Sequence, residues 1–219
     1  VKRGTTMDMK LNPRYKSFYF NDKDELPEIK IDPAKTCLLV MNMQEAMIGR
    51  ISDETEWGKE SGYGSTWKDF MDRLDYITIP CVSELLAKAR EKGIKVAYGT
   101  ISNFYTGEKE DPIIAELKPE DGDRIYTRSF RPGKSIAAGT SFIDDMKADG
   151  IETVVIVGMA TDQCISSSIR VLSDEDFEVI CVEDACASDS LDQQEWELRA
   201  LNFTYCLVVS QLQMMDILG

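Results

Sequence analysis

Cys164 lies in the stretch VIVGMATDQCISSS, residues 155–168, where an apolar run breaks at Gly158 and gives way to a polar turn. The pattern places the thiol about three residues into a helix that follows a strand. Amides in a first helical turn have no intrahelical acceptor, and together they carry roughly half a positive charge. That field lowers a thiol pKa, as a neighbouring cation does. The same amides can hold an oxyanion formed by attack on a carbonyl. Thr161 or Asp162 fits the N-cap, where a side-chain oxygen accepts from those amides. Nucleophilic acyl transfer is the chemistry such a position suits, although an inert thiol packing a helix on a sheet fits it equally well. The sequence contains no histidine, so whatever activates the thiol must be something else. Asn42 and the segment from Arg128 to Lys134 also follow strand ends and converge on the same region.

The elements that must carry these residues follow from the apolar pattern. TCLLVMNMQ (36–44) is too short for a helix and reads as a buried strand. IPCVSELLAKAREKG (79–93) has Val82, Leu85, Leu86 and Ala89 at helical spacing, with Pro80 in the first turn and Gly93 as C-terminal cap. Further strands are predicted at 94–102, 123–130, 152–158, 177–185 and 205–209, and further helices at 140–150, 161–174, 191–202 and over SQLQMMDIL at the end. Regular alternation of strand and helix predicts one α/β domain, a doubly wound, six-stranded, mainly parallel sheet with helices on both faces. Ligands of such sheets bind beyond the carboxyl ends of the strands. Residues 1–35 are polar and punctuated by proline, and read as an extended N-terminal arm to a domain spanning 36–219. Trp57, Tyr63 and Trp67 fall in the glycine-punctuated EWGKESGYGSTW, predicted as a long loop that serves either as a lid or as a subunit contact.

Composition narrows the function. Lys and Arg total 25 against 39 Asp and Glu, a formal charge of −14. So acidic a surface repels phosphate backbones and anionic lipid headgroups, which argues against nucleic-acid and membrane partners. None of the six cysteines forms a Cys-x-x-Cys pair, and without histidine the usual zinc patterns are unavailable. Cys37, Cys181 and Cys206 lie in strand-like runs and read as small buried apolar residues. The opening VKRGTTMDMK lacks the apolar core of a signal peptide, and no stretch approaches ~18 apolar residues. A reducing, cytoplasmic setting is the expectation.

LLVMNMQ, RPGKSIAAGT and VGMATDQC resemble the three signatures of the isochorismatase-like cysteine hydrolases. That superfamily includes nicotinamidases, N-carbamoylsarcosine amidohydrolases, and biuret and ureidoacrylate hydrolases. The resemblance runs from about residue 32 to 210, and IDPAKT and VEDACAS also fit it. It implies the doubly wound fold, a catalytic set of Asp, Lys and Cys with the cysteine at Cys164, and a homo-oligomer, a dimer or tetramer. It further implies a non-proline cis peptide at Met159–Ala160, with the Ala160 and Cys164 amides as oxyanion hole. Gln44, Asn103, Phe104 and Met159 are the expected substrate contacts. Members of the nicotinamidase branch bind a metal through histidines and aspartate; with no histidine here, neither metal nor cofactor is expected.

Two positions depart from the family pattern. Asn42 stands where the family has aspartate, and an amide has no group that takes a thiol proton near neutral pH. An ungapped match puts Arg131 at the lysine position; arginine keeps the charge but does not shuttle protons. Lys134 has the right chemistry three residues on, and Arg128 at the strand end is a third choice. Asn42 admits three explanations: an introduced Asp-to-Asn change that stalls turnover, a divergence in which helix and cation alone activate the thiol, or a relative that binds without catalysis. The resulting expectation is a cysteine-dependent hydrolase of a C–N bond in a small amide or ureide, acting through an acyl-enzyme. The alternatives are vinyl-ether hydrolysis of the isochorismatase type and a non-catalytic binding protein.

Overall fold

Apolar runs flanked by helical segments form six strands in one sheet. In the computed structural model, which describes residues 9–48, 64–102, 112–129 and 134–219, these are β1 (Thr36–Met41), β2 (Lys95–Ile101), β3 (Arg124–Arg128), β4 (Thr153–Met159), β5 (Glu178–Ala187) and β6 (Leu207–Val209). Their order is β3-β2-β1-β4-β5-β6, and every pairing is parallel. The chain starts in the middle, winds to one edge, then crosses back and winds to the other. The β1/β4 junction is therefore the switch point, where the connections leave in opposite directions and open a crevice.

The helices are α1 (Glu45–Ile48), α2 (Gly64–Arg73), α3 (Ile79–Glu91), α4 (Phe142–Ala148), α5 (Ser166–Asp174), α6 (Leu191–Leu201) and α7 (Gln211–Leu218). Strand residues alternate between two apolar layers with the two-residue period of a pleat. Leu38, Val40, Val96, Val155 and Val157 pack under α3, with Phe70 of α2 and Met214 of α7. Cys37, Leu39, Ala97, Val154 and Ile156 pack under α4, α5 and α6 through Phe142, Ile169 and Leu198. A sheet covered on both faces needs continuous apolar strands, which is why these runs were readable.

The glycine-punctuated stretch predicted as loop differs at its end: Trp67 lies in α2, a helix that begins at Gly64. Trp57 and Tyr63 lie outside the described residues. A π-helical turn, Leu74–Thr78, joins α2 directly to α3. Pro80 explains that turn, because proline has no N–H for the bond one helical turn back. A shift to five-residue spacing at Ile79 N–H→Leu74 O carries the helix past it.

Residues 9–35 lie across the domain in short 3-10 turns, with Leu11, Tyr15 and Leu26 buried. They meet an irregularity in β5. Pairing with β4 jumps from Ile156↔Cys181 to Gly158↔Cys186, so Glu183 to Ala185 leave the ladder. The Arg73 guanidinium takes over the carbonyls of Glu183 and Cys186, both at 3.0 Å from Nη2. The Gln194 amide supports the same two carbonyls at 3.3 Å. The Glu183 carboxylate accepts from Asn12 Nδ2 at 3.2 Å and from the Tyr15 hydroxyl. Burial raises the Glu183 pKa above the usual 4.5, against the lowering effect of these donors.

Candidate active site

The site is assembled at the carboxyl ends of β1, β3 and β4. Asn42, the first residue past β1, is 1% exposed and has φ 55°. That left-handed backbone suits asparagine or aspartate and few other side chains. Its N–H donates to Gly99 O at 2.8 Å, and its carbonyl accepts from the Gln44 N–H at 2.8 Å. The side chain then bridges outward in both directions. Nδ2 donates to Met159 O at 3.0 Å, and Oδ1 accepts from Nη2 of Arg128. A guanidinium only donates and a carbonyl only accepts, so this orientation of the amide is chemically forced. A neutral amide satisfies both partners at once; a carboxylate would satisfy only Arg128.

Arg128 ends β3 and is 0% exposed. Besides Asn42, Nε donates to Thr100 O at 3.3 Å and Nη1 to the Lys134 carbonyl. Of the singled-out cations that lie among the described residues, Arg128 is joined to Asn42. Lys134 contributes its carbonyl there, while its ammonium donates to Ser129 Oγ at 3.1 Å. The loop brings the Lys134 carbonyl, not its side chain, against the buried guanidinium. Arg131 lies outside the described residues. Strand alternation is the signal that marks Arg128: Ile125 is exposed, Tyr126 buried, Thr127 exposed and Arg128 buried.

The end of β4 is shaped by glycine. Gly158 has φ 113°, and a Cβ there would overlap the Met41 carbonyl oxygen and lie 2.8 Å from Met41 N. On the other side of β1, a Cβ at Gly99 would lie 2.7 Å from Ile136 Cδ1. β1 thus enters the site between two strands that carry no side chain beside it. The Met159–Ala160 peptide is cis, as the resemblance implied. A π-helical turn, Thr161–Ile165, follows and runs into α5, with the buried Cys164 at its fourth residue.

The expected N-cap is corrected: Ala160 holds that position, without a side-chain bond. Thr161 donates to Gln194 Oε1 at 2.6 Å, and Asp162 accepts from the Ser188 hydroxyl at 2.9 Å. Both side chains are drawn sideways toward α6 and the loop after β5, which leaves the first-turn amides uncovered by a local side-chain cap.

Gln44 is fully buried, and its amide brackets the main chain of Ile101, donating to O at 2.9 Å and accepting from N–H at 2.8 Å. It ties the β1 end to the β2 end. Met159 gives its carbonyl to Asn42, while its side chain joins the α3-side apolar layer. Asn103 and Phe104 lie outside the described residues.

No disulfide links any of the six cysteines. Burial pushes the Cys37 thiol up to about 12 and the Cys81 thiol to about 11, and raises Cys206 as well. Cys181 is raised by the Cys186 thiol at 3.8 Å and by burial. These thiols stay protonated at neutral pH. Among the described residues, no group of three His, Cys, Asp or Glu side chains could hold a metal ion, and the sequence has no histidine to supply one. The donor set does not fit a histidine-based metal centre.

Comparison with known proteins gives a consistent outcome. The family model described as Isochorismatase domain matches residues 36–213. The uncharacterized isochorismatase family protein YrdC of Bacillus subtilis is 25% identical over 166 residues, 73% of this chain and 78% of the relative. A cysteine hydrolase from Pseudomonas syringae pv. phaseolicola superposes with a TM-score of 0.69 at 18% identity, covering 89% of this chain and 97% of that one. N-carbamoylsarcosine amidase from Thermoplasma acidophilum superposes with a TM-score of 0.61 at 20% identity, covering 81% and 96%. At these identities the solved structures bear on the fold, which is the doubly wound sheet described above.

Proposed function

The chain belongs to the isochorismatase family, and from that premise we propose that it is a cysteine-dependent hydrolase of a C–N bond in a small amide or ureide. The observation that carries this reading is the position of Cys164 in the first turn after β4, five residues beyond the Met159 carbonyl that anchors Asn42 and, through it, Arg128. In such a step the thiolate, not the thiol, is the nucleophile. The thiolate sulfur attacks the carbonyl carbon, and the amides of Ala160 and Cys164 hold the oxyanion. The C–N bond then breaks, the nitrogen leaves with a proton as ammonia or amine, and a thioester remains on Cys164. Water cleaves the thioester, releasing the acid and restoring the thiol. Asn42 positions Arg128 and takes no proton, so turnover is slow. The same proposal takes the protein to be cytoplasmic, which six cysteines without a disulfide support, and homo-oligomeric, as the family resemblance implies.

The test is intact-protein mass spectrometry of the chain with a panel of amides and ureides, alongside an ammonia assay. A mass increase on Cys164 that disappears in Cys164→Ser is the expected result. Restoring Asn42→Asp should raise ammonia release. No adduct on the parent chain and no turnover by Asn42→Asp would sink the hydrolase reading and favour a binding homologue, which the non-titrating Asn42 also suits.

A further inference from the structure

Gln194 stands on the inward face of α6 with Leu198 and Leu201, where a spacing of one and two turns calls for an apolar side chain. It is 3% exposed, and an amide so buried needs partners for its polar atoms. Nε2 donates to the carbonyls of Glu183 and Cys186, each at 3.3 Å, and Oε1 accepts from the Thr161 hydroxyl at 2.6 Å. Carbonyls only accept, so the NH2 end must face them and the Thr161 hydroxyl must be the donor.

These bonds join two parts of the frame around the site. Glu183 opens the displaced segment of β5 and Cys186 follows it, paired with Gly158 just before the cis peptide of β4. Thr161 is fully buried and opens the π-helical turn that carries Cys164. Neighbouring side chains grip the same stretch: Ser188 donates to Asp162 at 2.9 Å, and Ser166, just past the turn, donates to Glu197. The segment 188–197 therefore meets the chain on both sides of Cys164, and the Thr161–Gln194 bond is the wholly buried member of the set. A threonine at the start of a helix readily turns its hydroxyl to the first N–H groups, as caps do. Gln194 draws this one sideways.

We propose that Gln194 is a positioning residue for the nucleophile, fixing the turn that carries Cys164 against the end of β4 so that its amides face the reacting carbonyl. The proposal rests on the amide-hydrolase reading for what Cys164 does, and adds what holds it in place.

Three variants of the full chain test it. Gln194→Met keeps the length of the side chain without its hydrogen bonds, Thr161→Val removes the hydroxyl at the other end, and Thr161→Ser retains it. One rate is thioester formation, followed by mass spectrometry with the fastest of a panel running from acetamide and benzamide to biuret. The other is alkylation of Cys164 by iodoacetamide, with the buried Cys181 as internal reference. Thioester formation needs alignment, whereas alkylation needs only access. Gln194→Met and Thr161→Val should each slow thioester formation at saturating amide about tenfold or more, with the half-saturating concentration held within about threefold. Both should speed alkylation of Cys164 relative to Cys181, and Thr161→Ser should stay near the parent in both rates. Adding Thr161→Val to Gln194→Met should cost little more, because both break the same bond. If Gln194→Met does not fold, the two Thr161 variants carry the decision. Thioester rates unchanged by Gln194→Met and Thr161→Val overturn the proposal, as does a loss that Thr161→Ser shares with Thr161→Val. Alkylation of Cys181 that rises as steeply as that of Cys164 overturns it too, since the loosening is then general. A parent chain that forms no thioester with any member of the panel defeats the hydrolase reading, and the ratio of Cys164 to Cys181 alkylation then decides by itself whether Gln194 holds the turn.

Discussion

Single positions at the strand ends decide whether the site exists. Gly158 and Gly150 both have positive φ, 113° and 71°, but only Gly158 faces backbone within reach of a Cβ. Gly150→Ala should therefore cost about 1 kcal/mol, the price of a left-handed backbone. Gly158→Ala should cost at least ~3 kcal/mol, because a main-chain overlap is added to forbidden dihedrals. Urea midpoints at unchanged m measure both, and equal losses would show that β1 yields at Met41. Cys164 was legible in the sequence because an apolar run, a glycine and a polar turn announce a strand-to-helix junction. That Arg128 is joined to Asn42 was less so, since an ungapped motif match follows chain spacing and not which side chain turns inward. The two-residue alternation of β3 carries that information, with Arg128 in phase with the buried Tyr126. Gln44 is ambiguous for a related reason: a glutamine after a strand can equally face a ligand or bracket a neighbouring main chain, and here its amide brackets Ile101.

At the scale of elements, the displaced segment of β5 joins the N-terminal turns to the sheet. Glu183 is its titrating member, faced by Tyr15, Asn12, Asp184 and Arg73. Its folded pKa is raised, so the folded protein holds the proton more tightly than the unfolded chain. The contribution from this group is fully present below the usual carboxylate value of 4.5 and is lost as pH rises through the folded value. Glu183→Gln removes that loss. Its melting temperature relative to the parent should climb as pH increases above about 4.5, and a difference that stays flat with pH would contradict the assignment. Nothing in the apolar pattern foretold this break, because VICVEDACA reads as continuous strand and its displaced carbonyls are met by Arg73 and Gln194 from distant helices. The beginning of α2 was hidden by its glycines, and its buried Phe70 gains meaning only with Leu74 beyond it. By contrast, α3 declared itself through Val82, Leu85, Leu86 and Ala89, all buried.

For the whole molecule, a charge of −14 sets like charges against one another across a small surface. Ion pairs such as Lys35–Glu152 at 2.7 Å and Lys147–Glu175 at 2.6 Å offset part of this but are exposed, and exposed pairs contribute little. Self-repulsion should prevail, so raising salt from about 10 mM to about 150 mM should raise the melting temperature by screening it. A fall would mean that the surface pairs outweigh the repulsion. No helix among the described residues is long and apolar enough to cross a membrane. The doubly wound architecture was the most legible level of all, because parallel strands covered on both sides must be apolar throughout and must alternate with helices.

The bare flanks of Met41 have a consequence for how such a chain tolerates change. With glycine at 99 and 158, the last step of β1 pairs on both sides with a residue that has no side chain, and the Met41 main chain lies directly against Gly158. Residues deeper in the two apolar layers can then be exchanged over time, shifting helices against the sheet, without moving the spot from which Asn42 reaches out. A tip insulated in this way lets lineages wander far apart in composition while still presenting the residue at position 42 from one fixed point.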